Sequence, residues 1–423
     1  MAASRPAGPH PLVDHLFRHE AGKMVAVLTR IFGVHNLQMA EDVVQEAFLK
    51  ASQSWGYHAI PENPSAWLML VAKNKALDIL RRKTHYDRLS ATLQSRFRDQ
   101  PLTTLEHFFL DSEIADSQLR MIFACCHPAL KQEDQVALTL KTASGFGIAE
   151  IAKALLTSEA VIEKRLYRAR EFIRSNQISF TIPSGNQLRQ RLETVYRVLY
   201  LIFNEGYNSL KSDELIRKDV CAEAMRLCIL LCEHQVVGEP AGFALLSLMC
   251  FHASRFDSRI DENKDIVLLQ HQDRSKWDRA LMERGYYYMN LSSKGKYLSA
   301  YHIEAAIGAE YCLAADFENT NWERLSELYD LLAQKKPSPV VWLNRAVIRA
   351  QRGLVYQAIG EILAIDHIEK LLATQYIYNA VLGDLYMKGE DREKALHYLG
   401  KARDLTPSQA EKKLIGDKMN SLL

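Results

Sequence analysis

No run of apolar residues in the 423-residue chain is long enough to cross a bilayer. The longest suggestive stretch, Ala241 to Ser254, has 14 residues and includes His252, against the roughly 20 that a span needs. The start, Met1 to Pro11, is rich in Ala, Pro, Gly and His and has no apolar secretory core. No membrane partner is expected, and the expected location is the cytoplasm. An excess of one charge is also lacking. Lys and Arg number 53 and Asp and Glu 51, a net charge of +2, which excludes a uniformly basic, histone-like chain but not local basic patches. Cysteine is sparse: seven in a chain this long, an odd count, make no disulfide framework and fit a reducing compartment. Period-two runs of the kind strands show are absent. Apolar residues recur every three or four positions instead, as in Leu28, Ile31, Phe32 and in Val43, Ala47, Phe48, Ala51. The expected fold class is all-α. With 48% hydrophobic and 25% charged residues, there is ample apolar surface for real cores, and the length suggests two to three domains.

The prolines punctuate this helical text. Pro6, Pro9 and Pro11 mark a loose start, Pro61 and Pro64 bracket a loop, and Pro101 sits in a polar stretch. Pro183 opens a Pro-Ser-Gly-Asn breaker, and Pro337 and Pro339 lie in the last third. The expected domains are 1–95, a linker 96–112, 113–182, and 183–423.

In the first block, Ala40 to Ala51 reads as an amphipathic helix. Glu41, Asp42, Gln45 and Glu46 lie on or beside its outward face, either as a solvated face or as a dock for a basic partner. After Pro64, Ser65 is positioned to cap a second helix, with Trp67, Leu70, Val71 and Leu77 as its buried stripe. Residues 65–98 carry eight basic side chains (Lys73, Lys75, Arg81, Arg82, Lys83, Arg88, Arg96, Arg98) against two acidic ones, Asp78 and Asp87. Such a local excess suits a phosphate backbone.

In the second block, a helix from Glu133, a Ser144-Gly-Phe-Gly break, a short helix from Ile148, a turn at Thr157-Ser158-Glu159 and a basic helix to Arg174 give a helix-turn-helix order. Ala149, Ala152 and Ala154 suit close helix crossing. Ile148, Ile151, Leu155, Val161, Ile162 and Leu166 are the expected core. Ser158, Glu159, Glu163, Lys164 and Arg168 are available to a major groove, and Arg165, Arg170 and Arg174 to phosphates.

Together these segments resemble the two domains of an extracytoplasmic-function sigma factor of the sigma-70 family. The resemblance covers about residues 12–178 and implies two small helical domains, region 2 and a helix-turn-helix region 4. It implies that Glu41, Asp42, Gln45 and Glu46 contact the clamp helices of bacterial core RNA polymerase. The Ile60 to Ser65 loop, with Asn63, would capture a flipped minus-ten base. Trp67, Lys73, Asn74, Asp78, Arg81 and Arg82 would hold the melted promoter DNA. The 160–174 helix, with Arg165 and Arg170 among its phosphate contacts, would read the minus-thirty-five element, and 96–112 would cross the polymerase surface. No catalytic residue, cofactor or metal is implied, because the polymerase supplies the chemistry. A ligand-sensing helix-turn-helix regulator or scaffold that works without polymerase is the alternative reading.

Leu199 to Tyr207, Val267 to Asp278 and Pro337 to Ala346 are similar to the subgroup with a long tetratricopeptide-like C-terminal extension. Val341 to Ala358 and Tyr378 to Ala395 align at a period of about 36, near the roughly 34 of such repeats, which places the repeats near 337–407. Asn204, Glu205, Tyr207, Asp273, Arg274, Trp277 and Asp278 either line a regulatory pocket for a small-molecule or protein ligand or pin the extension together. Cys125-Cys126-His127 lacks a second ligand pair at zinc-finger spacing, so burial is expected. Cys221, Cys228 and Cys232 share one helical face and read as a core stripe.

Overall fold

The computed structural model describes residues 10–55, 60–87, 107–155, 157–176, 178–207, 216–262 and 265–422. Pro6, Pro9, Arg88, Arg96, Arg98, Pro101 and residues 96–106 of the expected linker lie outside the described residues. Among the described residues the regular elements are helices, apart from one isolated antiparallel bridge between Ile260 and Ile266. The fold is all-α, and no described helix is long and apolar enough to cross a membrane. The chain divides into two compact units, 1–202 and 203–423. The division falls inside a helix, some twenty residues beyond Pro183.

The first unit opens with α1 (His10–Phe32), α2 (Leu37–Trp55) and α3 (Pro64–Asp87). Met24 to Leu28 are five consecutive buried residues. One amphipathic face cannot bury five in a row, so α1 must be covered on several sides. It packs against α2 and α3, and also against α4 (Asp111–Cys125) and the turn Thr139–Ala143. Phe17 and Phe48 meet edge to face at 4.8 Å across α1 and α2. Next come α5 (Gln132–Leu138), which runs into the π-type turn Thr139–Ala143, then α6 (Ile148–Ala154) and α7 (Glu159–Ser175). Glu150 Oε2 accepts from the Gly147 backbone N–H at 2.6 Å and fixes the start of α6. The helix α8 (Gly185–Tyr207) crosses the division. Within the first unit, its Arg191 donates to the Phe123 carbonyl.

The second unit holds α9 (Lys218–Glu233), α10 (Pro240–Ala253), α11 (Arg279–Ser292), α12 (Ala300–Leu313) and α13 (Trp322–Lys335). It continues with α14 (Pro339–Gln351), α15 (Val355–Leu363), α16 (Ile368–Thr374), α17 (Tyr376–Lys388), α18 (Arg392–Leu405) and α19 (Gln409–Asn420). Helix starts follow local chemistry. Ser338 caps α14 with Pro339 in its first turn, and Asp391 caps α18 through the Lys394 N–H. The pairs α14–α15 and α17–α18 are two equivalent hairpins sharing one core that includes Ala346, Ala358, Tyr378, Leu382 and Ala395.

The repeat measures 37 residues, the same offset that separates Val341–Ala358 from Tyr378–Ala395. Pro339 and Tyr376, which open α14 and α17, are 37 residues apart, as are Val355 and Arg392. The short α16, inserted between the hairpins, accounts for the excess over a tetratricopeptide period. The turn residue with positive φ is Gly353 (84°) in the first hairpin and Glu390 (61°) in the second. Gly353 is thus matched by Glu390, and Gly389 occupies the turn position before it.

Candidate nucleic-acid interface

On α2, Asp42, Gln45 and Glu46 are exposed, and Leu49, 59% exposed, extends the same face one turn further. Leu49 was not singled out in the sequence, where an apolar residue on an amphipathic helix reads as core. Glu46 pairs with Lys75 of α3 at 2.5 Å. Glu41 departs from the expected outward face. Its side chain is 7% exposed and pairs with Arg170 of α7 at 2.7 Å, with the Thr142 hydroxyl at 3.5 Å. Helical spacing cannot distinguish a face open to solvent from one covered by a distant helix.

On α3 the cap is Asn63, whose Oδ1 accepts from the Ala66 N–H at 3.0 Å, and not Ser65. The buried stripe is Leu68, Ala72 and Ala76. Leu70 is 52% exposed, while Trp67, Val71 and Leu77 are half-buried. Small residues bring α3 close to the bundle, and the larger neighbours are turned to the flanks. Trp67 stands 5.4 Å from the Trp55 ring. Asn74, Asp78, Arg81 and Arg82 form one exposed face at spacings of three to four residues, and Arg81 reaches Asp78 at 3.6 Å. Asn63, Leu70 and Lys73 line a cleft of about 570 Å³ together with Lys23 of α1 and Phe109 and Gln118 before and within α4. The Lys73 ammonium lies 5.9 Å from the Phe109 ring.

On α7 the buried residues are Ile162, Leu166, Ala169 and Ile173. Val161, expected in the core, is 39% exposed, Ala149 is exposed, and Ile148 and Leu155 are half-buried. Ser158 is the N-cap residue, but its side chain makes no capping bond. Ser158, Glu159, Glu163, Lys164 and Arg168 face solvent and Arg165 is half-exposed, with Tyr167 (68% exposed) between them. Arg168 is held at 2.7 Å by Asp134 of α5. Arg170, expected on phosphates, is turned to Glu41. Arg174 pairs within its own helix with Glu171 at 2.6 Å.

The two blocks are packed on one another within the first unit. A Cβ at Gly22 of α1 would stand 2.2 Å from the Ala143 carbonyl oxygen, so only glycine fits there. Arg30 of α1 meets Glu113 at 2.7 Å and Asp116 at 3.1 Å on α4. Burial depresses the Lys141 ammonium pKa, and the Glu41 carboxylate beside it opposes that effect.

In the second unit, Tyr207, Arg274 and Trp277 come together. The Arg274 guanidinium lies 4.0 Å from the centre of the Trp277 ring. The sequence reading missed Arg255 and Arg259, whose guanidiniums join this cluster. Arg255 donates to Tyr207 Oη at 2.6 Å, and Arg259 to the Tyr207 carbonyl at 2.6 Å. Their spacing of four immediately after an apolar helix was the available signal. The carboxylates of Asp273 and Asp278 are turned to local caps at Ser275 and Leu281. Asn204 and Glu205 are half-buried in the last turn of α8.

Cys125 and Cys126 are buried, and burial raises the Cys126 thiol to about 12. His127 lies 6.0 Å from the Phe172 ring. Cys221, Cys228 and Cys232 lie in the core of the second unit, with Cys221 Sγ 3.4 Å from the Phe203 carbonyl.

Comparison with known proteins matches the chain to three families in chain order. Sigma-70 region 2 matches residues 16–86, sigma-70 region 4 matches 120–173, and a family of unknown function (DUF6596) matches 191–293. An uncharacterized protein of Rhizobium meliloti is 33% identical over 361 residues, 85% of this chain and 84% of that protein. The RNA polymerase sigma-H factor of Pseudomonas aeruginosa is 29% identical over 156 residues, 36% of this chain and 78% of that protein. The sigma factor CarQ of Myxococcus xanthus is 28% identical over 172 residues, 40% of this chain and 90% of that protein. No solved structure matches.

Proposed function

The chain is an extracytoplasmic-function RNA polymerase sigma factor with a C-terminal helical extension, and from that premise we propose how its parts divide the work. Its partners are core RNA polymerase and promoter DNA. The exposed face Asp42, Gln45, Glu46 and Leu49 docks on the polymerase. Asn63, Trp67 and Lys73, which line or flank the cleft, together with the Asn74, Asp78, Arg81 and Arg82 face, hold the melted minus-ten strand. Ser158, Glu159, Glu163, Lys164, Arg165 and Arg168 read the minus-thirty-five element. The chain does no chemistry of its own and works in the cytoplasm, where the polymerase is. The domain limits 1–95, 113–182 and 183–423 serve this division, with α8 as the boundary helix.

The Glu41–Arg170 pair carries a further part of the reading. An acid of the docking helix and an arginine of the DNA-reading helix neutralise each other at 2.7 Å. Neither is then free for polymerase or phosphate, so this conformation is a resting state that must open. The C-terminal extension sets when it opens.

The test is co-purification of the full chain with bacterial core RNA polymerase, beside a truncation after Tyr207. A cut there keeps the Arg191 contact to Phe123. Binding by the truncation alone makes the extension inhibitory, and stronger binding by the full chain makes it activating. Equal binding with equal promoter opening by both would remove the regulatory role.

A further inference from the structure

We propose that Arg255, Arg274 and Trp277 of the C-terminal unit form a binding site for the phosphate group of a small molecule. The site draws on separate segments: Arg255 two residues beyond α10, Arg274 and Trp277 shortly before α11, Tyr207 at the end of α8 and Tyr311 near the end of α12. The Arg274 and Arg255 guanidiniums lie 4.0 and 5.6 Å from the centre of the Trp277 ring.

Three N–H donors in this cluster are buried and have no acceptor among the described residues: Arg255 Nε, Arg274 Nη2 and Trp277 Nε1. Native proteins leave few buried donors unpaired, and each exception points to strain, function or a missing partner. The remaining bonds of the two arginines go to neutral groups, the Tyr207 hydroxyl for Arg255 and the Tyr311 carbonyl for Arg274. Among the described residues no carboxylate pairs with either. Asp273 accepts from the Ser275 N–H and hydroxyl. Asp316 favours the Arg274 charge without pairing with it and accepts from the Asn319 N–H at 2.8 Å. His252 is a neutral neighbour, since burial and the adjacent Arg255 and Arg259 push its pKa down to about 3.

Two uncompensated guanidiniums and an indole N–H present three donors and a double positive charge. A phosphate group answers with three acceptor oxygens and a charge of about −1.5 to −2. Arginine is the residue suited to such recognition, both by its planar fork and by its stacking on an aromatic face. The donors are few and enclosed, which suits a single small group and not a polymer backbone. The described residues of 254–278, which supply the arginines, hold short 3-10 turns and one bridge instead of an α-helix. Their adjustment around a ligand therefore breaks little regular structure. The inference deepens the regulatory reading of the extension, but the site is defined by these side chains and is read by binding alone.

The test is calorimetric titration of inorganic phosphate into the full chain at constant ionic strength, with chloride as the reference anion. The wild type should give saturable binding to one site. Arg274→Gln, at a half-exposed position, should weaken it at least tenfold with helicity and melting temperature unchanged in chloride. Arg255→Lys keeps the charge, removes the buried Nε donor and should also weaken binding. Absence of saturable binding by the folded wild type overturns the site, as does Arg274→Gln binding within twofold of wild type. Phosphate binding that leaves promoter-dependent transcription unchanged supports the site and overturns only its regulatory use.

Discussion

Arg170 of the DNA-reading helix donates to the Glu41 carboxylate at 2.7 Å, and Glu41 is almost wholly buried while Arg170 retains partial exposure. A charge left behind in such a place is costly. Removing one partner of a buried pair typically destabilises by about 3–5 kcal/mol, whereas replacing both can be neutral.

Arg170→Ala should therefore loosen the packing of the two sigma regions more than the double change Glu41→Gln with Arg170→Ala. Hydrogen exchange of the Thr139–Ala143 turn, which contacts both α1 and Glu41, reports it directly. Faster exchange in the single variant and partial recovery in the double one is the expected pattern. Identical exchange in all three would mean that the pair does not hold the regions together.

Gly22→Ala tests the same interface by shape. Its Cβ would meet the Ala143 carbonyl at 2.2 Å, and overpacking of this kind costs about 1–3 kcal/mol. The expected result is a lower melting temperature for the first unit, with the second unit unaffected. An unchanged melting profile would show that α1 can back away from the turn at no cost.

Charge reversal at Arg81 and Arg82 should abolish promoter opening while polymerase binding survives. Both side chains are exposed, and among the described residues Arg81 makes only a 3.6 Å surface pair with Asp78, so helicity should not change. Permanganate footprinting of the minus-ten region measures opening. Wild-type opening by this double variant would refute the assignment of the α3 face.

Lys164 and Arg168 differ in readiness. Lys164 is exposed, whereas Arg168 is held by the buried Asp134 at 2.7 Å. Replacing either with Ala should alter minus-thirty-five discrimination by about 1–3 kcal/mol if it touches bases. Asp134→Asn should release Arg168 and shift preference in the opposite direction to its loss. A promoter-library selection reads both, and unchanged preference after both replacements would exclude this face from base contact.

His252 gives the second unit an acid limit. Burial, with Arg255 and Arg259 nearby, lowers its pKa to about 3, below the ordinary value near 6.5. Between these values the unfolded chain binds the proton and the folded chain does not. Stability is therefore full above about 6.5 and is lost as pH falls toward 3. His252→Gln should flatten the dependence of melting temperature on pH across that window. A slope equal to wild type would mean that another group sets the limit.

Much of this was legible in residue order. Fold class, the helix-turn-helix and the repeated hairpins follow from apolar spacing and breakers, which are local properties. The stripe on α3 was misjudged because Trp67, Leu70 and Leu77 are large and apolar, while the close approach belongs to Leu68, Ala72 and Ala76. Leu49 and Tyr167 escaped notice because an exposed apolar or aromatic side chain looks, in sequence, like a buried one. Tyr207, Arg274 and Trp277 were noticed, but their partner Arg255 lies nearly fifty residues beyond Tyr207 in sequence.

The sequence by itself determined that the chain is helical, that it carries sigma regions 2 and 4, and that a repeat-bearing extension follows them. Those conclusions rest on periodicity and motif order, which neighbouring residues encode. Only the tertiary structure decided that Glu41 faces Arg170 instead of solvent, and that Arg255 and Arg274 flank one indole with no carboxylate paired to either among the described residues. Each depends on which side chain a distant helix brings near, and burial and charge pairing are properties of that encounter, not of either segment alone.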